Sequence, residues 1–146
     1  MAKNRRKADG TAFENEFKRA LEAFFYVKRL PTLNTGFSGL RQPADFIVVG
    51  KHFNYAECKE TAGDRFSVST MEQFDLMCDF IQDRDRLTVM KDNEYYVIVH
   101  FLTYNVIKVI TAQQAKDLAD KHKSLVYSMD IGKTYHSVEE LKEVEF

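Results

Sequence analysis

Apolar and polar positions repeat along this chain with two distinct periods. Across residues 11–28, Phe13, Phe17, Ala20, Leu21 and Phe24 recur at helical spacing and predict an amphipathic helix. Asp9 and Gly10 precede its first turn, and Pro31 lies just beyond its end. Residues 30–43 hold the turn formers Pro31, Asn34, Gly36 and Gly39 and read as a loop. Residues 45–49 and 53–59 are short β-forming runs joined by Gly50-Lys51-His52, the signal of a hairpin. After a polar loop, Ser69-Thr70-Met71-Glu72 has the spacing of a capping box. The helix it predicts carries Met71, Phe74, Met77, Cys78 and Ile81 on one face and closes in the charged stretch 83–86. Residues 95–101 and 105–110 predict a second hairpin. Thr111-Ala112-Gln113-Gln114 is a second capping box, opening a helix to about Lys121. A short strand at 125–129 and a last helical turn at 137–144 complete the pattern. The order α-β-β-α-β-β-α predicts an α/β fold, a mixed central β-sheet flanked by helices.

Composition narrows the class. The 146 residues suit a single domain spanning 1–146, with residues 1–9 as a basic N-terminal arm. Hydrophobic residues make up 45% and charged residues 29%, which excludes a disordered chain. No apolar run approaches the roughly 20 residues that cross a bilayer. No signal-peptide pattern follows the basic start, so no membrane association and a cytoplasmic location are expected. Cys58 and Cys78 are then expected to be reduced, and neither has the spacing of a zinc site. The four histidines, His52, His100, His122 and His136, are also scattered without ligand spacing.

The formal net charge is −1, but its distribution is uneven. Arg5, Arg6, Lys7, Lys18 and Arg41 lie in a basic first third, whereas Glu139, Glu140, Glu143 and Glu145 crowd the C-terminus. Such a pattern permits nucleic-acid binding, and it equally fits a solvated basic tail.

The first hairpin concentrates the chemistry. With the turn centred on Lys51, Val49 pairs with Phe53 and Asp45 falls opposite Glu57. Opposed residues share a face, with Cβ atoms roughly 5 Å apart. Lys59 joins them on that face, and Cys58 points to the other. Charge pairing alone favours a cross-strand salt bridge among the three. Ile47 and Tyr55 alternate onto the same face, however, and do not belong on a solvated charged surface. Two close carboxylates repel, and a divalent cation removes the conflict. Mg²⁺ takes hard oxygen ligands and keeps several waters, so Asp45, Glu57 and the backbone carbonyl of Cys58 would suit it. Such an ion acidifies water and polarises a phosphoryl oxygen, and Lys59 beside it could orient the attacking water.

These residues, in Pro43-Ala44-Asp45 and Glu57-Cys58-Lys59, resemble the PD-(D/E)xK nuclease motif. The flanks are similar to RecU-like Holliday junction resolvases. Gly10-Thr11-Ala12-Phe13-Glu14 resembles the element on their first helix, and Arg41-Gln42-Pro43 the approach to their aspartate. Glu57-Cys58-Lys59-Glu60-Thr61 resembles their E-x-K-E-T run, and Gln73 stands in the place of their helix glutamine. The resemblance spans roughly residues 10–110. It implies a restriction-endonuclease-like core and a Mg²⁺- or Mn²⁺-dependent endonuclease, with Asp45, Glu57, Lys59, Glu14 and Gln73 as its catalytic set.

In that set Asp45 and Glu57 bind metal, and Glu14 holds a metal-bound water or a second ion. The helix pattern alone leaves Glu14 and Glu16 as alternatives; family spacing from Gly10 selects Glu14. The implied substrate is branched DNA, nicked in pairs by a homodimer and serving recombination and repair. Arg5, Arg6, Lys7, Lys18, Arg41, Gln42 and Arg65 are the candidate DNA contacts. One departure bears on the substrate. The segment before Asp45 is shorter than the stalk of the family, as in a compact phage-type resolvase, which would act in the host cytoplasm. The alternatives are another PD-(D/E)xK nuclease of restriction or nicking type, or a non-catalytic DNA-binding protein.

Overall fold

The computed structural model describes the backbone of residues 2–31 and 42–146, with side chains from residue 12 onward. Helix α1 (Ala2–Leu21) is followed by β1 (Tyr26–Arg29), β2 (Phe46–Val49), β3 (Phe53–Thr61) and β4 (Arg65–Phe66). Next come α2 (Phe74–Arg86), β5 (Glu94–Phe101), β6 (Val106–Thr111), α3 (Ala112–Asp120), β7 (Leu125–Val126) and β8 (Lys133–Tyr135). A 3-10 turn at Val138–Glu143 ends the order. Six strands form one mixed sheet in the order β1-β2-β3-β5-β6-β8, and β4 pairs with β7 in a separate ribbon. The expected α/β architecture, a mixed sheet flanked by helices, is borne out. No helix among the described residues is long and apolar enough to cross a membrane.

The first hairpin forms in the expected register, with Val49 opposite Phe53 and Phe46 opposite Ala56. Strand β5 then lies parallel to β3, pairing Tyr55 with Tyr95 and Glu57 with Val97. A parallel pair needs a crossover connection, and α2 supplies it. The sheet is therefore covered on both sides. Phe13, Phe17 and Leu21 of α1 pack with Phe46, Val48, Ala56, Cys58 and Ile98 on one face. Met77, Phe80 and Ile81 of α2 and Ala115 and Leu118 of α3 pack with Tyr95, Val97, Val99 and Phe101 on the other. Strict alternation along β3 sends Tyr55, Glu57 and Lys59 to the α2–α3 side and Cys58 to the α1 side.

Local structure differs from the sequence expectation in several places. Helix α1 begins at Ala2, ahead of Thr11, and ends at Leu21 rather than near Lys28. Residues 26–28, expected as its end, instead belong to β1 and pair with β2, Lys28 opposite Ile47. The aromatic and β-branched run Phe24-Phe25-Tyr26-Val27 favours a strand once a partner edge exists. Ser69-Thr70-Met71-Glu72 does not cap α2, whose N-cap is Gln73. Thr70 donates its hydroxyl to the Ser67 carbonyl instead, closing a 3-10 turn at Val68–Thr70. The short strands β4 and β8 are not signalled by sequence, since two- and three-residue runs carry too little periodicity. The second capping box forms in full: Thr111 Oγ1 accepts from Gln114 N–H and Gln114 Oε1 from Thr111 N–H.

Gly132 closes the approach to β8 with φ +69°. A Cβ there would lie 2.3 Å from the Val109 carbonyl oxygen and 2.7 Å from Ile110 Cγ2. Gly132→Ala should lower stability by roughly 2–4 kcal/mol, read from the urea midpoint. Gly63→Ala, whose new methyl would come no nearer than 3.9 Å to Thr61 Oγ1, should stay near wild type.

Candidate functional site

Asp45 stands one residue before the β2 ladder, where the chain bends into the strand. Its Oδ2 accepts from the backbone N–H of Cys58 at 2.8 Å, and its carbonyl accepts from Leu30 N–H at 2.9 Å. The Cys58 bond turns the carboxylate across the end of the pair toward Glu57. Glu57 is fully buried, and among the described residues neither of its carboxylate oxygens has a hydrogen-bond donor. Lys59 Nζ lies 3.4 Å from Glu57 Oε2, close enough for ion pairing but outside hydrogen-bond geometry. The structure thus brings Asp45, Glu57 and Lys59 together.

Helix α1 adds a third acid. Glu14 is half-buried and electrostatically coupled to Asp45, whereas Glu16 lines a separate cavity of about 690 Å³ with His100 and His136. Of the two helix acids left open by the sequence, Glu14 is the one the fold carries to Asp45. It does not stand alone there. Arg29 of β1 donates to Glu14 Oε2 at 2.9 Å and to Asn15 Oδ1 at 2.7 Å, with its guanidinium 4.9 Å from the Phe46 ring centre. Sequence reasoning misses Arg29 as a site residue, because it runs the helix on to about Lys28 and leaves Arg29 at its end rather than on a strand. The β-forming run ahead of Pro31 is the signal that could reveal it.

The electrostatics follow from this crowding. Burial, then the charge of Glu57, pushes the Asp45 carboxyl up to about 7, against the stabilising Cys58 N–H. Burial, then the charge of Asp45, pushes Glu14 up to about 7, with Arg29 opposing. Burial also raises Glu57, with Lys59 opposing. Three carboxyls thus stand in a row, with Arg29 bonded to Glu14 at one end and Lys59 paired with Glu57 at the other. The Cys58 thiol faces the α1 core, where burial raises it well above the ordinary thiol range. A thiol held protonated is no nucleophile.

The other expected site residues fall in several places. Gln73 is the N-cap residue of α2, and its Oε1 is buried without a donor among the described residues, as is that of Gln42. Lys18 is on the exposed side of α1, paired with Glu22 at 2.8 Å. Arg65, on β4, is largely exposed and pairs with Asp64 at 3.2 Å. Arg5, Arg6 and Lys7 lie within the backbone span of α1, and their side chains are outside the described residues. Arg41 is outside the described residues altogether.

No family model matches the chain, and no curated protein is significantly similar to it in sequence. Among solved structures it is similar to that of Archaeoglobus fulgidus Hjc, a Holliday junction resolvase from an archaeal hyperthermophile. The TM-score is 0.47 at 17% identity, covering 73% of this chain and 75% of that one.

The raised carboxyls set a pH dependence. An unfolded chain ionises such groups near pH 4, whereas the fold keeps Glu14 and Asp45 protonated to about pH 7. The folded state binds more protons within that window, so metal-free stability falls as pH rises from about 4 to 7. Above it the loss levels off. Asp45→Asn keeps an acceptor for the Cys58 N–H and removes the charge. It should raise the melting temperature of the metal-free protein at pH 7.5 by roughly 2–6 °C and flatten its fall between about pH 5 and 7.5. A lower melting temperature than wild type at that pH would refute this account of the site.

Proposed function

We propose that the protein is a Mg²⁺- or Mn²⁺-dependent endodeoxyribonuclease that acts on branched DNA. The observation that carries this reading is Glu57. A fully buried carboxylate with both oxygens undonated, beside a second carboxylate, is costly unless a cation or proton compensates it. Among the described residues no group of three or more His, Cys, Asp or Glu side chains is spaced as a metal cage. The donors at hand are two carboxylates and a backbone carbonyl, all hard oxygens. They suit a cation that retains water ligands better than they suit zinc.

Asp45 and Glu57 would hold the ion. The Cys58 carbonyl would join them, since N–H and C=O of one strand residue project to the same side and its N–H meets Asp45. Glu14 would act through water. When bound, the ion lowers the pKa of water and offsets charge on a phosphoryl oxygen. Lys59, on the same face and partly exposed, orients the attacking water and stabilises developing negative charge on the phosphate. The α2–α3 layer over Glu57 keeps bulk water from the buried side of the pair. Arg65 and the basic residues of the first third supply phosphate contacts that fix position without reading sequence. A twofold homodimer would present two such sites to a junction, giving paired nicks.

Calorimetric titration with Mn²⁺ should show binding by the wild type, and both Asp45→Asn and Glu57→Gln should abolish it. The substrate is decided by labelled duplex, flap, fork and four-way DNA, each incubated with Mg²⁺. Paired symmetric nicks confined to the four-way species support a resolvase, and site-specific duplex cutting supports a restriction-type enzyme. Unchanged Mn²⁺ binding in both variants, with no DNA cut by the wild type, would leave a non-catalytic DNA-binding protein.

Lys59→Ala should slow cleavage by roughly 10²–10³-fold, in line with removal of one preorganised charge-stabilising group, while DNA binding persists. Gel-shift and single-turnover assays read the two separately. Loss of binding together with cleavage would make Lys59 structural.

A further inference from the structure

Asp45 lies outside the β2–β3 ladder, so strand pairing does not by itself fix it. Its own carbonyl and carboxylate are held by Leu30 and Cys58. The segment leading into it is held by a third contact from a distant strand. The Tyr95 hydroxyl donates to the carbonyl of Pro43, 52 residues away in sequence and two residues before Asp45. Proline has no N–H, so that carbonyl is the only backbone hydrogen-bonding group Pro43 offers.

We infer that Tyr95 is a positioning residue for the candidate metal site. Its buried hydroxyl pins Pro43 and thereby sets where the Asp45 carboxylate stands relative to Glu57. The inference rests on the metal-dependent reading above and adds a residue to it.

The donor is itself immobilised. Tyr95 is fully buried on β5, directly beside Tyr55 of β3. Its ring centre lies 5.8 Å from those of both Tyr55 and Phe80, which are 5.9 Å apart and complete a triangle of rings. One step along the same face, the next row of the two strands is Glu57 and Val97. The aromatic triangle is therefore the floor next to the buried carboxylate, and the Tyr95 hydroxyl reaches from it into the chain that brings the other carboxylate. Burial and the charges of Glu57 and Asp45 keep the hydroxyl protonated, so it remains a donor. Every link in this path is a contact between rigid elements: α2 through Phe80, β3 through Tyr55, and β5 through Tyr95 itself.

Tyr95→Phe removes one oxygen and keeps the ring, so the fold should persist, which circular dichroism and a cooperative melt would verify. A purely structural hydroxyl would lower the melting temperature without altering metal affinity measured well below it. The positioning role predicts that Mn²⁺ affinity weakens by about 10-fold, as when outer-shell partners of metal ligands are lost. Tyr135→Phe, a hydroxyl deletion in the opposite core, should leave Mn²⁺ affinity unchanged.

A second readout needs no metal. The Cys58 amide proton donates to Asp45 Oδ2, and its NMR resonance should move upfield in Tyr95→Phe as that bond loosens. Wild-type Mn²⁺ affinity together with an unmoved Cys58 amide would overturn the inference. If the wild-type protein bound no Mn²⁺, the metal-dependent reading would fail, and the Cys58 resonance alone would decide whether Tyr95 positions Asp45.

Discussion

The buried, undonated carboxylate of Glu57 is the constraint around which the rest of the molecule is arranged. A charge can sit at the centre of a two-sided sheet only if something compensates it or it stays protonated. Asp45 beside it sharpens the conflict, because the charge of Glu57 raises the cost of ionising Asp45. Neighbouring structure accommodates this without removing it. The Cys58 N–H favours ionised Asp45, and Lys59 favours ionised Glu57, yet burial outweighs both. A stable fold that keeps such a pair forgoes stability that an apolar pair would supply. On the proposed reading a bound cation would offset that cost, and strongly perturbed carboxyls gathered at one spot mark a candidate functional site.

The topology explains why the pair is buried at all. Antiparallel β2 and β3 place Asp45 and Glu57 together, but a hairpin alone would leave its α2–α3 face wet. Parallel pairing of β3 with β5 forces a crossover, and the crossover helix α2 covers that face. Its Phe80 completes the ring triangle with Tyr55 and Tyr95 on the row next to Glu57. Meanwhile α1 covers the opposite face and delivers Glu14 around the sheet end. One layer shields the site, and the other contributes to it.

Features decided by neighbours in the chain are legible from the amino-acid sequence. The Lys51 turn sets the register that opposes Asp45 and Glu57, the Thr111–Gln114 box opens α3, and alternation sends Cys58 away from Lys59. Features decided by long-range contact are not. Tyr26 and Val27 continue the apolar run Phe24-Phe25 that follows α1, and only the free edge of β2 makes residues 26–29 a strand. Arg29 is hidden along with that strand. Glu14 and Glu16 flank one helix stripe equally well, and the position of Asp45 chooses between them. Tyr95 has the sequence signature of a core aromatic, because nothing local connects it to Pro43 across 52 residues. The Ser69–Glu72 spacing misleads for the opposite reason: nearby Ser67 and Thr70 supply a competing local hydrogen bond.

The distribution of cations over the three acids carries a last consequence. Lys59 attends Glu57 from one side, and Arg29 attends Glu14 from the other. Asp45, between them, receives the Cys58 backbone N–H, which is a dipole and not a charge. Full ionisation of the row would therefore leave a net negative charge centred on Asp45. Arg29 is committed elsewhere as well, shared with Asn15 and held against the Phe46 ring, so it is poorly placed to swing inward. These two side-chain cations thus serve the ends of the row, and the deficit falls where the Cys58 backbone turns toward Asp45. A cation supplied from solution fits that deficit in both sign and position. On the proposed nuclease reading, phosphate contacts would have to come from residues outside the row, which would keep binding of the DNA backbone separate from the chemistry at Asp45.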